Sequence, residues 1–338
     1  MSAREQVIPV FVPHLGCPHD CVFCNQRRIA GQQEPATPEN VKELIEKAAA
    51  LPSSGAKRQL AFYGGSFTAI PLAEQSALLD AGREAIERGQ ISSIRLSTRP
   101  DAIDTATLTR LKAAGVETIE LGAQSMDEEV LRLSGRGHTA ADVRNAAGMV
   151  KAAGFHLILQ MMTGLPGDTD EKSVETARQL IALCPDGVRI YPTVIVRDTA
   201  LYDLWMAGKY REHTVEDAVR VGAKLLPLFD AAKIPVIRFG LNPTEELSGG
   251  AAVAGAYHPA LGELAKSRVL RNKAELLLRD TPAGSRVILG VHPAQISQMN
   301  GQHRQNIRWL CETFGLAELK VRPTEGKSNE IRLISVEK

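Results

Sequence analysis

Between residues 7 and 241 the chain alternates short β-branched apolar runs with amphipathic helical stretches, and this rhythm limits the possible folds more than any other feature. The runs at 7–13, 58–63, 91–98, 116–123, 155–162, 186–196 and 234–241 read as strands. The stretches at 38–51, 72–89, 104–115, 139–154, 170–183 and 215–232 read as helices. Thr37 supplies a side-chain cap for the first of these, and Pro38 fits its first position. Units of about thirty residues in strict β-then-α order call for parallel strands with helical crossovers outside them. Several strands read as apolar on both faces, as buried parallel strands are. Six or more such units predict an α/β fold of TIM type over residues 1–280, a barrel or partial (βα) barrel, in preference to an open doubly wound sheet. SGGAAVAGAYHP, at 248–259, is Gly- and Ala-rich and reads as a loop.

The rhythm changes near residue 282. Strands are expected at 286–292, 317–323 and 330–336, with helices at 293–300 and 304–315. This βααββ order carries no parallel-crossover signal, so a small α+β domain is expected over 281–338. Charge changes at about the same place. Lys+Arg and Asp+Glu balance overall at 40 and 39, but from Lys266 onward there are 13 basic and 7 acidic residues. A basic end on a balanced body points to a polyanionic partner there. With 44% hydrophobic and 23% charged residues, disorder, collagen and coiled coil are excluded as descriptions of the whole chain. The opening MSAREQVIPV lacks a leader layout, and runs such as FHLILQMM are far short of a bilayer span, so a cytoplasmic protein without a membrane segment is expected.

Three of the five cysteines fall within eight residues: Cys17, Cys21 and Cys24, just after the first strand. An odd, clustered set is a poor disulfide framework and a good ligand set for a reducing compartment. Three thiolates on a tight loop can hold three irons of a cubane and leave the fourth iron exchangeable. A structural zinc would need a fourth ligand, with His14 or His19 as candidates.

The spacing Cys17-x3-Cys21-x2-Cys24, with Phe23 before the last cysteine, resembles the signature of radical S-adenosylmethionine (SAM) enzymes. The resemblance implies a [4Fe-4S] cluster on those cysteines and SAM on the open iron. Further motifs sit at the carboxyl ends of predicted strands, where α/β sites collect. AFYGGSF is similar to the family's GGE-like segment and offers Gly64, Gly65 and Ser66 to the methionyl amine. LSTRPD offers Ser97 to the ribose and Arg99 to the methionyl carboxylate. ELGAQS places Gln124 at the barrel mouth. QMMTGLPGD resembles the adenine-binding segment, with Thr163, Gly164 and Leu165 near the base.

Across residues 7–210, FYGGSFT, STRPDAID, ELGAQS, GLPGD and RIYPTVIVRDTALYDLW together resemble the radical-SAM module of Elongator catalytic subunits, which modify wobble uridines in tRNA. The N-terminal basic extension and the acetyltransferase domain of those subunits have no counterpart, so carboxymethylation of the uridine is not carried over. The segment at 238–264 is similar to shorter bacterial relatives. The terminal segment resembles a KH RNA-binding core, whose GxxG loop is here Gly301-Gln302-His303-Arg304. Arg189, Tyr191 and Arg238 on late strands, with His258, are candidates for the substrate side. Cys184 and Cys311 read as small apolar core residues.

These observations favour a radical SAM enzyme acting on RNA, with tRNA as the expected substrate and a flavodoxin or ferredoxin as electron donor. One alternative is the same chemistry on a small molecule or peptide, with the terminal module as a lid or dimer interface. Another is a non-catalytic RNA-binding protein with a structural metal.

Overall fold

The computed structural model describes residues 5–12, 17, 19–25, 36–51, 56–242 and 247–338. Pro13, at the end of the first predicted strand, and His14 lie outside them. The strands are β1 (Glu5–Val12), β2 (Lys57–Gly64), β3 (Ser93–Thr98), β4 (Val116–Gln124), β5 (His156–Thr163), β6 (Gly187–Pro192), β7 (Val194–Val196), β8 (Val236–Phe239), β9 (Ala252–Gly255), β10 (Arg286–Val291), β11 (Glu318–Pro323) and β12 (Ile331–Glu337). The helices are α1 (Pro38–Ala50), α2 (Leu72–Glu87), α3 (Thr105–Ala113), α4 (Glu128–Leu133), α5 (Ala140–Ala152), α6 (Asp170–Ala182), α7 (Ala200–Met206), α8 (Val215–Ala231), α9 (Leu261–Leu278), α10 (Ile296–Asn300) and α11 (Gln305–Phe314). Thr37 caps α1 as expected: its hydroxyl accepts from the Asn40 N–H at 3.2 Å.

Seven strands form one all-parallel sheet in the order β1-β2-β3-β4-β5-β6-β8. Each new strand adds to the same edge, and the order never reverses. Right-handed crossovers then place every connecting helix on one face, and the sheet curls with its helices outside. β1 and β8 do not pair, so of the closed and partial barrels that the alternation allows, the chain forms the partial one.

The strands are not apolar on both faces. Leu60, Phe62, Ile94, Leu96, Ile119, Leu121, Leu157, Leu159, Val188 and Ile190 form the core with the helices. Their alternating neighbours Gln59, Tyr63, Arg95, Ser97, Glu120, Gln160 and Arg189 hydrogen-bond to one another across the inner face. An open barrel has no second ring of strands to fill its lumen, so this face carries polar groups.

Three further expectations are corrected. The predicted strand at 186–196 breaks at Thr193, whose N–H and hydroxyl both donate to the Thr163 carbonyl, at 2.9 and 2.8 Å. Beyond the break, β7 pairs antiparallel with β9, within the segment read as a loop. A Cβ on Gly255 would lie 2.9 Å from the Thr193 carbonyl oxygen, so a glycine allows the two strands to close together. Near the carboxyl end, β10 pairs with β11 in parallel and with β12 antiparallel. The α10–α11 pair therefore serves as a parallel crossover, which the βααββ order had not suggested.

Helix α9, absent from the sequence reading, joins the two regions. Leu261 packs with Ala218 and Val219 of α8, while Leu270, Ala274 and Leu278 enter the core formed by β10, β11, α10 and α11. A chain cut at residue 280 would expose those three side chains to water. The 1–280 fragment is therefore expected to aggregate, or to melt well below the full chain. Gel filtration and thermal melting of the fragment check this, and a monomeric fragment with an unchanged melt would contradict the account.

Candidate functional site

A cavity opens at the carboxyl rim of the sheet, lined by Cys17, Cys21 and Cys24 together with Phe23, Gly64, Gly65, Ser66, Ser97, Arg99 and Gln124. The sequence motifs thus converge on one place. Gly64 has φ 100°, a conformation open to glycine, and the Gly65 N–H donates to the Val12 carbonyl at 2.8 Å. This ties the Gly-Gly turn to the strand that launches the cysteine loop. Burial pushes the Cys17 thiol up, while the Ser66 backbone N–H, Arg99 and Arg136 act in the opposite direction.

Some candidates also build the wall of the cavity through their hydrogen bonds, and others stand outside it. The Ser66 hydroxyl is buried against Thr98 at 3.1 Å and accepts from the Arg99 N–H at 3.2 Å. The Arg99 guanidinium forks onto Asp101 at 2.9 and 3.0 Å and also donates to the Arg136 carbonyl. Thr163, Gly164 and Leu165 do not line the cavity. The Gly164 N–H donates to Asp168 at 2.8 Å, its carbonyl accepts from the Tyr210 hydroxyl at 2.5 Å, and the Thr163 hydroxyl meets His213 Nε2 at 3.1 Å. Tyr210 and His213 therefore buttress this loop from behind.

Gln124 differs from these. A register shift at Gly122/Gln124 leaves it at φ 63°, uncommon for a side chain of this kind. Among the described residues its buried Oε1 has no hydrogen-bond partner. Arg136, which the motif search missed, also lines the cavity and has a buried, unpartnered Nε. Only its placement between Gly135 and Gly137 hints at it in the sequence. Gln160, hidden inside the apolar-looking run of β5, is another lining residue that was missed.

Below the rim, Arg189 meets Glu120 through Nε at 2.8 Å and through a second nitrogen at 3.0 Å. Tyr63 donates to Glu120 at 3.1 Å, Arg95 at 3.3 Å, and Gln160 at 2.8 Å. Burial drives the Tyr63 and Tyr191 hydroxyls above their ordinary range, so both stay protonated. Arg238 donates instead to the Gly240 and Leu241 carbonyls at 3.0 and 2.8 Å, closing its own strand end. His258 accepts from the Ala260 N–H at 3.1 Å and shapes the turn into α9. Neither Arg238 nor His258 lines the cavity.

In the terminal region Gly301 has φ 72°, and Gln302, His303 and Arg304 are exposed. Arg304 adopts φ 58°, a left-handed conformation at the position where the KH loop carries its second glycine. Buried Asn306 donates to the carbonyls of Gln298 and Met299, each at 3.2 Å, and holds the loop on its helices.

Residues 11–180 match the Radical SAM superfamily, and residues 185–271 match the Radical_SAM C-terminal domain. The chain belongs to the radical SAM superfamily. It is 26% identical over 315 residues to human Elongator complex protein 3, an alignment covering 86% of this chain and 55% of that protein. It is 26% identical over 239 residues to the tRNA uridine(34) acetyltransferase of Dehalococcoides mccartyi, covering 60% of this chain and 52% of that one. The chain thus spans about half the length of these relatives. Its fold is similar to that of the archaeal Methanocaldococcus infernus Elp3, with a TM-score of 0.60 at 22% identity, covering 84% of this chain and 67% of the other.

The radical SAM family uses a [4Fe-4S] cluster and SAM. The donors present suit such a pair: three soft thiols, a glycine rim, and two buried polar atoms without partners on residues that line the same cavity. Among the described residues no three His, Cys, Asp or Glu side chains converge on a single ion position. A cubane does not need such convergence, since each thiolate takes its own iron. No helix among the described residues is long and apolar enough to cross a membrane.

Burial lowers the His213 imidazole from 6.5 to about 4. The unfolded chain therefore takes up a proton at His213 below pH 6.5 that the folded chain refuses. The stability contribution is whole above that pH and is lost as pH falls toward about 4, by at most about 1.4 kcal/mol per pH unit. Urea denaturation at a series of pH values should show a slope for His213→Gln about one proton shallower than for the wild type in this window.

Proposed function

We propose that this chain is a radical SAM enzyme that holds a [4Fe-4S] cluster on Cys17, Cys21 and Cys24 and acts on RNA, with tRNA as the expected substrate. The observation that carries the reading is the convergence of the three cysteines, the Gly64–Gly65 turn and the unpartnered Gln124 Oε1 on one rim cavity. When bound, the cluster and SAM supply reductive cleavage of a sulfonium to a 5′-deoxyadenosyl radical.

The chain's own residues bind, orient and exclude. Cys17, Cys21 and Cys24 offer the sulfurs. Gly64 and Gly65 permit a close backbone approach for the methionyl amine. Ser97 and Gln160 line the cavity, and Ser97 is assigned to the ribose. Gln124 offers an acceptor, its Oε1 being without a hydrogen-bond partner among the described residues. Thr163, Gly164 and Leu165 act through the loop they build, since the Gly164 backbone groups are engaged by Asp168 and Tyr210. Arg189, held on Glu120 below the rim, and Tyr191 are assigned to the substrate side, although neither lines the cavity itself.

The RNA substrate is supported by the names of the similar proteins, by the basic carboxyl end and by the exposed loop Gly301–Arg304. Electrons would come from a low-potential donor of the flavodoxin or ferredoxin class. The free thiols suit a reducing cytoplasm.

Anaerobic reconstitution with iron and sulfide is expected to give the charge-transfer absorbance of a 4Fe–4S centre, and dithionite with SAM to give 5′-deoxyadenosine. The Cys17→Ala/Cys21→Ala/Cys24→Ala variant should yield neither, and 5′-deoxyadenosine from it would defeat the reading. A tRNA mobility shift should weaken as salt rises, and Arg304→Glu should weaken it further and reduce the salt slope by about one. No shift at low salt would favour a small-molecule or peptide substrate.

A further inference from the structure

The turn after α4, Ser134-Gly135-Arg136-Gly137, is built around the cysteine loop. The Ser134 carbonyl accepts from the Val22 N–H at 3.1 Å. A Cβ on Gly135, at φ 65°, would lie 3.1 Å from the Asp20 carbonyl oxygen. One on Gly137, at φ 76°, would run into the His19 ring at 2.3 Å. The two glycines bring this backbone close enough for Arg136 to reach a sulfur.

Arg136 is only 7% exposed. One terminal nitrogen donates to Cys21 Sγ at 3.3 Å, and the other donates to the Gly122 carbonyl at 2.8 Å. Its own carbonyl accepts from the Arg99 guanidinium. Among the described residues Arg136 makes no ion pair, whereas Arg99 is matched by Asp101. A buried, unneutralised guanidinium therefore sits on a sulfur proposed to bind iron.

We propose that Arg136 is a positioning residue that seats Cys21 and raises the reduction potential of the cluster. The inference rests on the cluster reading given under Proposed function. On reduction the cluster takes one electron from an external low-potential donor, with no bond broken and no proton moved. The reduced form carries one more negative charge than the oxidised form. A fixed cation and an N–H···S hydrogen bond beside one ligand favour that form, and both cluster charge and hydrogen bonds to sulfur are known to set such potentials.

The test compares wild type, Arg136→Gln and Arg136→Lys after anaerobic reconstitution. Iron and sulfide are counted, and the potential is read by dithionite titration with EPR detection in the absence of SAM. Arg136→Gln is expected to carry the same iron and to show about a tenfold lower reduced-to-oxidised ratio at a fixed poise, which is about 59 mV for one electron. Arg136→Lys, which keeps the charge and loses the planar fork, should fall between the two. A fully loaded Arg136→Gln with the wild-type potential overturns the proposal, and if SAM affinity alone falls, Arg136 is a ligand contact and not a tuning group.

If Arg136→Gln folds but loses iron, Arg136→Lys decides. Full loading with a potential near wild type supports the proposal, and loss of iron there too leaves Arg136 as a loop support and overturns it. A wild-type chain that takes up no cluster overturns the cluster reading itself, and this inference with it.

Discussion

A single carboxylate organises the inside of this half-barrel. Glu120 is 0% exposed, and it accepts from Tyr63, Arg95, Gln160 and Arg189. Its partners come from β2, β3, β5 and β6, so one residue on β4 ties together five neighbouring strands. A buried carboxylate without partners would cost several kcal/mol, and two buried arginines without a carboxylate would cost as much. The network is tolerable only when every member is in place, which ties the inward faces of these strands to one register. Such a lock matters in an open barrel, where no closing strand pair fixes the curl.

The same network reaches the cavity. Gln160 donates through one amide nitrogen to both Glu120 and Ser97, the second at the longer distance of 3.4 Å. Its carbonyl oxygen is thereby left as the free end of a side chain that lines the cavity. Above it, the rim is built from backbone departures that ordinary strands do not make: the glycine turn at Gly64, the register shift at Gln124, and the Gly135–Gly137 clamp. Local strain at Gln124 is held between β3 and β5, which pair with β4 on either side, and strained residues persist where their surroundings over-determine them.

The parts legible in the sequence were those carried by local chemistry. The cap at Thr37, the order of strands and helices, the cysteine spacing and the Gly-Gly turn each depend on near neighbours, and each is legible in the sequence. The parts missed depend on distant partners. Arg136 reaches Cys21 across 115 positions, and His213 meets Thr163 across 50. No local pattern marks either residue. The alternation within β2 to β6 was present in the residues, but Arg and Gln among valines and leucines look like noise until the lumen they share is known. The strand at Ala252–Gly255 was read as a loop because small residues signal flexibility, whereas here they serve close approach.

The carboxyl region gains its meaning from α9. Had it been tethered by a flexible segment, the loop Gly301–Arg304 would sample many orientations relative to the barrel rim. Helix α9 removes that freedom. Leu261 lies in the core with α8, and Leu270, Ala274 and Leu278 lie in the core beneath β10. Gly222 of α8 lets this packing tighten, since a Cβ there would stand 3.2 Å from the Ala265 Cβ and 2.4 Å from the Phe239 ring. Arg268 adds an ion pair to Glu216 across the same seam. A continuous helix with both halves buried transmits orientation because rotating one half would uncover the other. The exposed loop and the barrel rim are therefore held by one helix whose two halves are packed in different cores.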